Sequence, residues 1–218
     1  MGFLNTILST IFPIKCLSCG SGNTDLCEKC LAQFPEAERE TARWIFPIYD
    51  YRHPPVRKAI WMLKYKNRKR LAKVFAEILY DKIIEELSDL YAMENFRDPV
   101  LIPIPLSKKR HRERGYNQIE LICQEIIKIA NLRDENLKSE NKVLVKIKET
   151  EHQARIKNRS KRLENVIGTF EIKNSAVVKN KNIILIDDVA TTGATLSEAR
   201  KVLHTAGARK IIAFTIAH

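Results

Sequence analysis

A parallel sheet covered by helices on both faces, preceded by a small four-cysteine satellite, is the α/β architecture this sequence predicts. Three observations carry it. Apolar strand-like runs alternate with helix-spaced runs from Trp44 onward. Four of the five cysteines fall in two Cys-x-x-Cys pairs within residues 16–30. A buried-looking strand ends in Asp187 and Asp188, followed by a small-residue loop and a helix. A chain of 218 residues holds one full α/β core and an appendage rather than two large domains. The expected division is residues 1–42 for the satellite and 43–218 for the main domain.

The satellite comes first. Beyond residue 14 it has few apolar side chains, so a metal rather than a core must hold it together. Each Cys-x-x-Cys knuckle turns two thiolates towards one ion, and Cys16, Cys19, Cys27 and Cys30 complete the tetrahedral shell of a structural Zn²⁺ site with no position left for catalysis. Two disulfides are disfavoured in a reducing compartment, and a redox pair would need only one knuckle. The start, Met1 to Leu8, lacks the basic region and cleavage site of a secretory signal. No apolar run approaches the ~20 residues of a membrane span. A soluble, cytoplasmic protein is expected.

In the main domain, residues 44–51 read as a strand and His53-Pro54-Pro55 as the turn opening a helix. Val56, Ile60 and Leu63, then Leu71, Val74, Phe75, Ile78 and Leu79, keep helical spacing to about Met93. Residues 100–105 read as a strand, 117–130 as a helix, 143–145 as a short strand, 182–187 as a buried strand, 196–205 as a helix and 210–216 as the last strand. Between Glu149 and Lys181 the pattern suggests a mobile loop and then a small cap around Val166, Ile167, Phe170 and Ile172. Cys123, on an apolar helical stripe, reads as a core thiol.

The net charge of +12 is unevenly spread. One cluster runs from Arg57 and Lys58 through Lys64, Lys66, Arg68, Lys69, Arg70 and Lys73, a second covers Lys108 to Arg114, and a third Arg155 to Arg162. Such a distribution favours polyanionic partners, either phosphorylated small molecules or nucleic acid.

The stretch from Ile184 to Leu196 is the most informative. Ligands of an open parallel sheet sit beyond the carboxyl ends of its strands, where Asp187 and Asp188 fall. The loop Ala190, Thr191, Thr192, Gly193, Ala194 and Thr195 offers backbone N–H groups, hydroxyls and a helix N-terminus to a phosphate. Two acids beside a phosphate cradle must face groups that want acceptors, such as ribose hydroxyls, with hydrated Mg²⁺ offsetting the charge.

This run resembles the ribose-phosphate signature of type I phosphoribosyltransferases, matched over its whole length. The resemblance implies that Asp187 and Asp188 bind the ribose hydroxyls of 5-phosphoribosyl-1-pyrophosphate and residues 190–195 its 5-phosphate. It puts pyrophosphate against the loop after the first sheet strand, Ile104, Pro105, Leu106 and Ser107, with Lys108, Arg110 and Arg114 beyond it. In that family a cis peptide often exposes N–H groups in this loop.

The whole chain is similar to the ComF family, amidophosphoribosyltransferase-like competence proteins linked to DNA uptake and DNA utilisation. Carrying that resemblance, in order, are the four-cysteine module, Tyr51, Pro54, Arg57 and Lys64-Tyr65, then Pro103 to Pro105, the run Arg112 to Gln118, Gln153, Arg162 and Asn165 before Gly168-Thr169-Phe170, and the aspartate–threonine signature. Residues 131–143 match nothing recognisable.

The resemblance implies pentosyl transfer through an oxocarbenium-like state, driven by positioning, charge neutralisation and exclusion of water. The acceptor is a nitrogen nucleophile that the sequence does not name. Arg112 and Arg114 face the ligand or the solvent, and His152, Gln153 and Arg155 lie in a lid or in a linker. An alternative is a single-stranded-DNA-binding competence protein with a vestigial ligand site, working beside other DNA-uptake proteins. Arg57, Lys64, Lys66 and Arg68 are its candidate contacts, with Trp61 and Tyr65 either stacking bases or packing in a core. A third reading, nucleobase salvage, explains neither the cysteine module nor the basic excess.

Overall fold

The computed structural model describes residues 14–38, 42–149 and 165–218. Five strands form a parallel sheet in the order β1-β7-β6-β2-β3: β1 Ile45–Tyr49, β7 Lys210–Ala217, β6 Asn182–Val189, β2 Val100–Pro103 and β3 Lys138–Ser139. Side chains of a strand alternate between faces, and β6 is apolar on both, as a sheet buried on two sides requires. Ile184 and Ile186 join the larger core with helices α2 Pro54–Tyr65, α3 Leu71–Glu94 and α5 Gln118–Leu132. Ile183 and Leu185 join a second core under helix α6 Ala194–Thr205.

Two local readings differ from the sequence expectation. The strand expected at residues 143–145 stays out of the main sheet. As β4, Leu144–Lys146, it pairs antiparallel with β5, Phe170–Ile172, in a separate ribbon over the α6 face. Alternation of strand and helix suggests a parallel neighbour, but the long connection after β4 returns as an antiparallel partner instead. Lys108 to Arg114, a basic cluster to which the sequence reading gives no element, form the short helix α4, Lys108–Arg114. Ser107 caps its first turn, accepting the Arg110 N–H, and Gly115 closes it at φ 77.

The cysteine module, with its own short helix α1, Glu28–Leu31, does not sit apart. Leu26 and Phe34 pack in the same core as Val56, Ile60 and Leu63. The Ala37 and Asp50 N–H groups bond to Ile48 and Pro35 carbonyls across the junction. Asp25, 3% exposed, pairs with Arg68 and, at 3.5 Å, with Arg70, both between α2 and α3. Asp25→Asn should therefore loosen this junction: we expect a loss of about 1–2 kcal/mol, read as a fall in Tm of about 4 °C by scanning calorimetry.

No helix among the described residues is long and apolar enough to cross a membrane. All peptide bonds between described residues are trans, those of residues 103–107 included.

Candidate functional site

Because every strand of the main sheet runs the same way, the loops after β1, β2 and β6 open on one edge. They enclose a cavity of about 240 Å³, and Asp187, Asp188, Thr191 and Thr195 line one side of it. Ile104, Pro105, Leu106, Ser107, Arg110 and Arg114 line another, and Lys64, Gln118 and Lys146 complete its polar wall. Ten of the residues expected at a ribose-phosphate and pyrophosphate site thus share one cavity. Lys108 is exposed in the first turn of α4 and is not among the lining residues.

The loop after β6 owes its path to Gly193. That residue sits at φ 69 as the N-cap of α6, and a Cβ there would lie 3.1 Å from Ile45 Cδ1. Ala190 and Ala194 are buried behind the loop, and Thr192 Oγ1 accepts the Ala194 N–H at 3.4 Å.

Asp188, 7% exposed, is held from two sides. Lys64 Nζ donates to Oδ1 at 2.8 Å and Gln118 Nε2 to Oδ2 at 2.7 Å. Gln118 is itself buried and takes the Arg114 guanidinium on its Oε1 at 2.9 Å. Its placement depends on Asn117, which caps α5 by accepting the Ile119 N–H and donates to the Ile104 carbonyl at 3.1 Å. One amide thereby ties the helix start to the loop after β2.

Asp187 behaves differently from its neighbour. Burial raises its carboxyl, the charge of Asp188 adds to this, and the Asp188 N–H, Lys64 and Lys146 pull the other way, leaving it at about 7. Burial, and then the charge of Arg110, bring the Lys146 ammonium down to about 8 against the pull of Asp187 and Glu149. A carboxyl raised in the folded state binds more protons than in the unfolded chain between about pH 4 and 7, so it contributes stability that is lost as pH rises through that window. Relative to Asp187→Asn, the native protein should lose on the order of 2 kcal/mol from pH 4 to pH 7, after discounting for the group's opening to the cavity. Urea unfolding of both proteins across that range measures the difference.

Of the nucleic-acid candidates, Arg57 and Lys66 are exposed, with Lys66 Nζ 5.2 Å from the Trp61 ring centre. Lys64 is in the cavity on Asp188, and Arg68 lies against Asp25. Gln153, Arg155, Arg162 and His152 fall outside the described residues.

Lys64, Gln118 and Lys146 are cavity residues that sequence reasoning did not place there. Lys64 carried a signal, three residues after the exposed Trp61 and one turn from the buried Ile60, but only the packing of α2 against the end of β6 brings it to Asp188. Lys146 had none, since it arrives on the β4–β5 ribbon.

The four thiols form the other site. Their Sγ atoms all lie within 4.8 Å of one another, and Cys19 and Cys27 are 3.7 Å apart. Sulfurs around a tetrahedral ion at ~2.3 Å stand about 3.8 Å apart, so the cluster could hold a metal such as zinc. Against burial, which raises it, the N–H groups of Cys19, Ser18 and Cys27 bring the Cys16 thiol down to about 6, towards the thiolate a metal needs.

Sheet order, acidic loop and cysteine cluster define a type I phosphoribosyltransferase fold with an added four-cysteine module. Residues 137–218 match the phosphoribosyl transferase domain family. The chain is 27% identical to DNA utilization protein YhgH of Escherichia coli, over 90% of this chain and 80% of that protein. It is 29% identical to competence protein F of Haemophilus influenzae over 92% and 82%, and 31% identical to competence protein ComFC of Streptococcus pneumoniae over 67% and 56%. It is thus a homologue of these competence and DNA utilization proteins.

Proposed function

We propose that the protein binds 5-phosphoribosyl-1-pyrophosphate with Mg²⁺ in the cavity beyond β6 and transfers its phosphoribosyl group to a nitrogen nucleophile, in the cytoplasm, in the service of DNA uptake or DNA utilisation. One observation carries the reading: Asp187 and Asp188 line a cavity whose other polar walls present Ser107, Arg110 and Lys146.

The two aspartates would accept hydrogen bonds from the ribose 2′ and 3′ hydroxyls. Residues 190–195 would surround the 5-phosphate, with Thr191 and Thr195 adding hydroxyls at the start of α6. Arg110, Arg114 and Lys146 would oppose the charge that grows on pyrophosphate as the C1–O bond breaks. Two adjacent carboxylates, one already paired with Lys64, suit a ligand that brings a cation. Mg²⁺ would supply charge neutralisation on the pyrophosphate. A Zn²⁺ ion in Cys16, Cys19, Cys27 and Cys30 would have a purely structural role.

A second reading, binding of single-stranded DNA alongside other DNA-uptake proteins, has support in the exposed Arg57 and Lys66 beside two half-exposed rings, Trp61 and Tyr65. Affinity for oligothymidine that falls steeply with salt, and less steeply after Arg57→Ala/Lys66→Ala, would favour it.

The transferase reading is tested by following pyrophosphate release from 5-phosphoribosyl-1-pyrophosphate and Mg²⁺ with a panel of nitrogen acceptors. Release at least tenfold faster than with the Asp188→Ala variant supports it. Equal release by the two proteins with every acceptor contradicts it.

A further inference from the structure

The last turn of α2 is held from two directions. The Met62 carbonyl takes the N–H of Lys66 at 2.9 Å, closing the helix, and that of Arg68 at 3.4 Å, so the turn into α3 folds back onto α2. The Leu63 carbonyl is one that a helix end leaves without an intrahelical partner, and it takes the Tyr116 hydroxyl from the junction of α4 and α5. Lys64, the next residue, reaches Asp188 at 2.8 Å. A single turn of helix therefore joins the α2–α3 connection to the cavity.

That connection is gripped from the cysteine module. Asp25 is a buried carboxylate whose Oδ1 meets Arg68 and whose Oδ2 lies 3.5 Å from Arg70. It stands between the two knuckles. Its carbonyl takes the Leu17 N–H at 2.8 Å, beside Cys16, and Cys27, two residues on, points its N–H at Cys16 Sγ. Residues 18–23 are exposed or nearly so, which leaves little apolar packing to fix this stretch. Four thiolates drawn to one ion would fix it, and with it the Asp25 carboxylate.

We propose that Asp25 is a positioning residue for the cavity and couples it to the cysteine module, so that a metal on the four thiols and a phosphoribosyl ligand favour each other's binding. The identity of the ligand rests on the transferase reading above, whereas the coupling does not. A buried ion pair is a weak source of net stability, and its use here is to hold a geometry. With Asp25 on Arg68 and Arg70, the last turn of α2 keeps Lys64 on Asp188, cancelling one of two adjacent carboxylate charges that the ligand's phosphates must approach. With that grip released, Lys64 leaves Asp188 and the doubled aspartate repels the phosphates. The linkage is reciprocal: the factor by which the metal tightens the sugar phosphate is the factor by which the sugar phosphate tightens the metal.

The test compares the zinc-loaded native protein with Asp25→Asn, Lys64→Met and Val178→Ala. Val178 is fully buried in the second core, so its truncation loosens the protein away from the module. Affinity for 5-phosphoribosyl-1-pyrophosphate with Mg²⁺ is measured first, by calorimetry. Zinc affinity follows, by equilibrium competition with a chromogenic chelator, with and without the sugar phosphate. We expect Asp25→Asn to keep its zinc yet to bind the sugar phosphate about tenfold more weakly. Saturating ligand should raise zinc affinity about tenfold in the native protein and less than about twofold in Asp25→Asn. Without ligand, Lys64→Met should hold zinc about threefold more weakly than the native protein. Val178→Ala should match the native protein in both affinities. Should Asp25→Asn fail to retain zinc, Arg68→Gln, outside the module, takes its place in every comparison. Native affinity for the sugar phosphate in that variant overturns the proposal, as does native zinc affinity that ignores a bound ligand, or a native protein that holds no metal. An equal fall in affinity for Val178→Ala also overturns it, because loss of stability alone then accounts for the effect. If the native protein binds no 5-phosphoribosyl-1-pyrophosphate, the transferase reading itself has failed. The ligand-free comparison still decides the coupling, and equal zinc affinity in Lys64→Met and the native protein overturns it.

Discussion

Asp188→Ala should abolish binding of 5-phosphoribosyl-1-pyrophosphate while leaving the protein folded. In the native chain the carboxylate takes the Lys64 ammonium and the Gln118 amide, both largely out of solvent. Removing it deletes the acceptor proposed for a ribose hydroxyl and also frees Lys64 and Gln118 from the positions that shape the cavity. Breaking a buried charge pair costs about 3–5 kcal/mol, and the opening of this cavity reduces that to about 2 kcal/mol of stability. Binding suffers more, since the lost hydrogen bonds and the unanchored Gln118–Arg114 pair add up: we expect affinity to fall more than about 100-fold, close to 3 kcal/mol. Calorimetric titration gives the affinity, and a urea melt of the same sample shows whether the fold survives.

The second large effect is on the cysteine module. Cys16→Ser removes the most buried of the four thiols, one whose Sγ lies within reach of the Cys27 N–H at 3.4 Å. A four-sulfur site reduced to three ligands should lose its ion, and structural zinc in small modules contributes about 10–16 kcal/mol to local folding. The module cannot then hold Leu26 and Phe34 in the core they share with α2, nor Asp25 against Arg68. We expect zinc stoichiometry by atomic absorption to fall from one to below about 0.2, with a drop in Tm on the order of 10 °C. A variant that keeps both values would mean that core packing alone holds the module.

The strands of the main sheet were legible where burial writes them plainly. β6 and β7 are built on the apolar runs 183–186 and 211–214 because both faces are covered, and the doubled aspartate falls at the end of β6, just before its threonine loop. β3 was not, because it is two polar residues, Lys138 and Ser139, whose strand geometry comes from pairing with Val100 and Leu101. α4 was hidden for another reason: six charged residues and a histidine carry no apolar period, and its caps, Ser107 and Gly115, decide that it forms. In the site, residues on the β6 loop and after β2 could be named from local motifs. Lys64, Gln118 and Lys146 could not be assigned to the cavity, because each reaches it from a different element and only the tertiary packing brings those elements together. Arg68 shows the same limit from the other side, since a basic cluster in sequence gives no hint that one member is turned inward onto Asp25.

The most direct test of the central claim is calorimetric titration of 5-phosphoribosyl-1-pyrophosphate, with and without Mg²⁺, into the native zinc-loaded protein and into Asp187→Ala/Asp188→Ala. Micromolar affinity that Mg²⁺ strengthens and the double variant lacks is the predicted result. No heat of binding from a folded, zinc-loaded native protein, in either condition, would contradict it and leave the exposed basic and aromatic face of α2, with its single-stranded DNA reading, as the account to pursue.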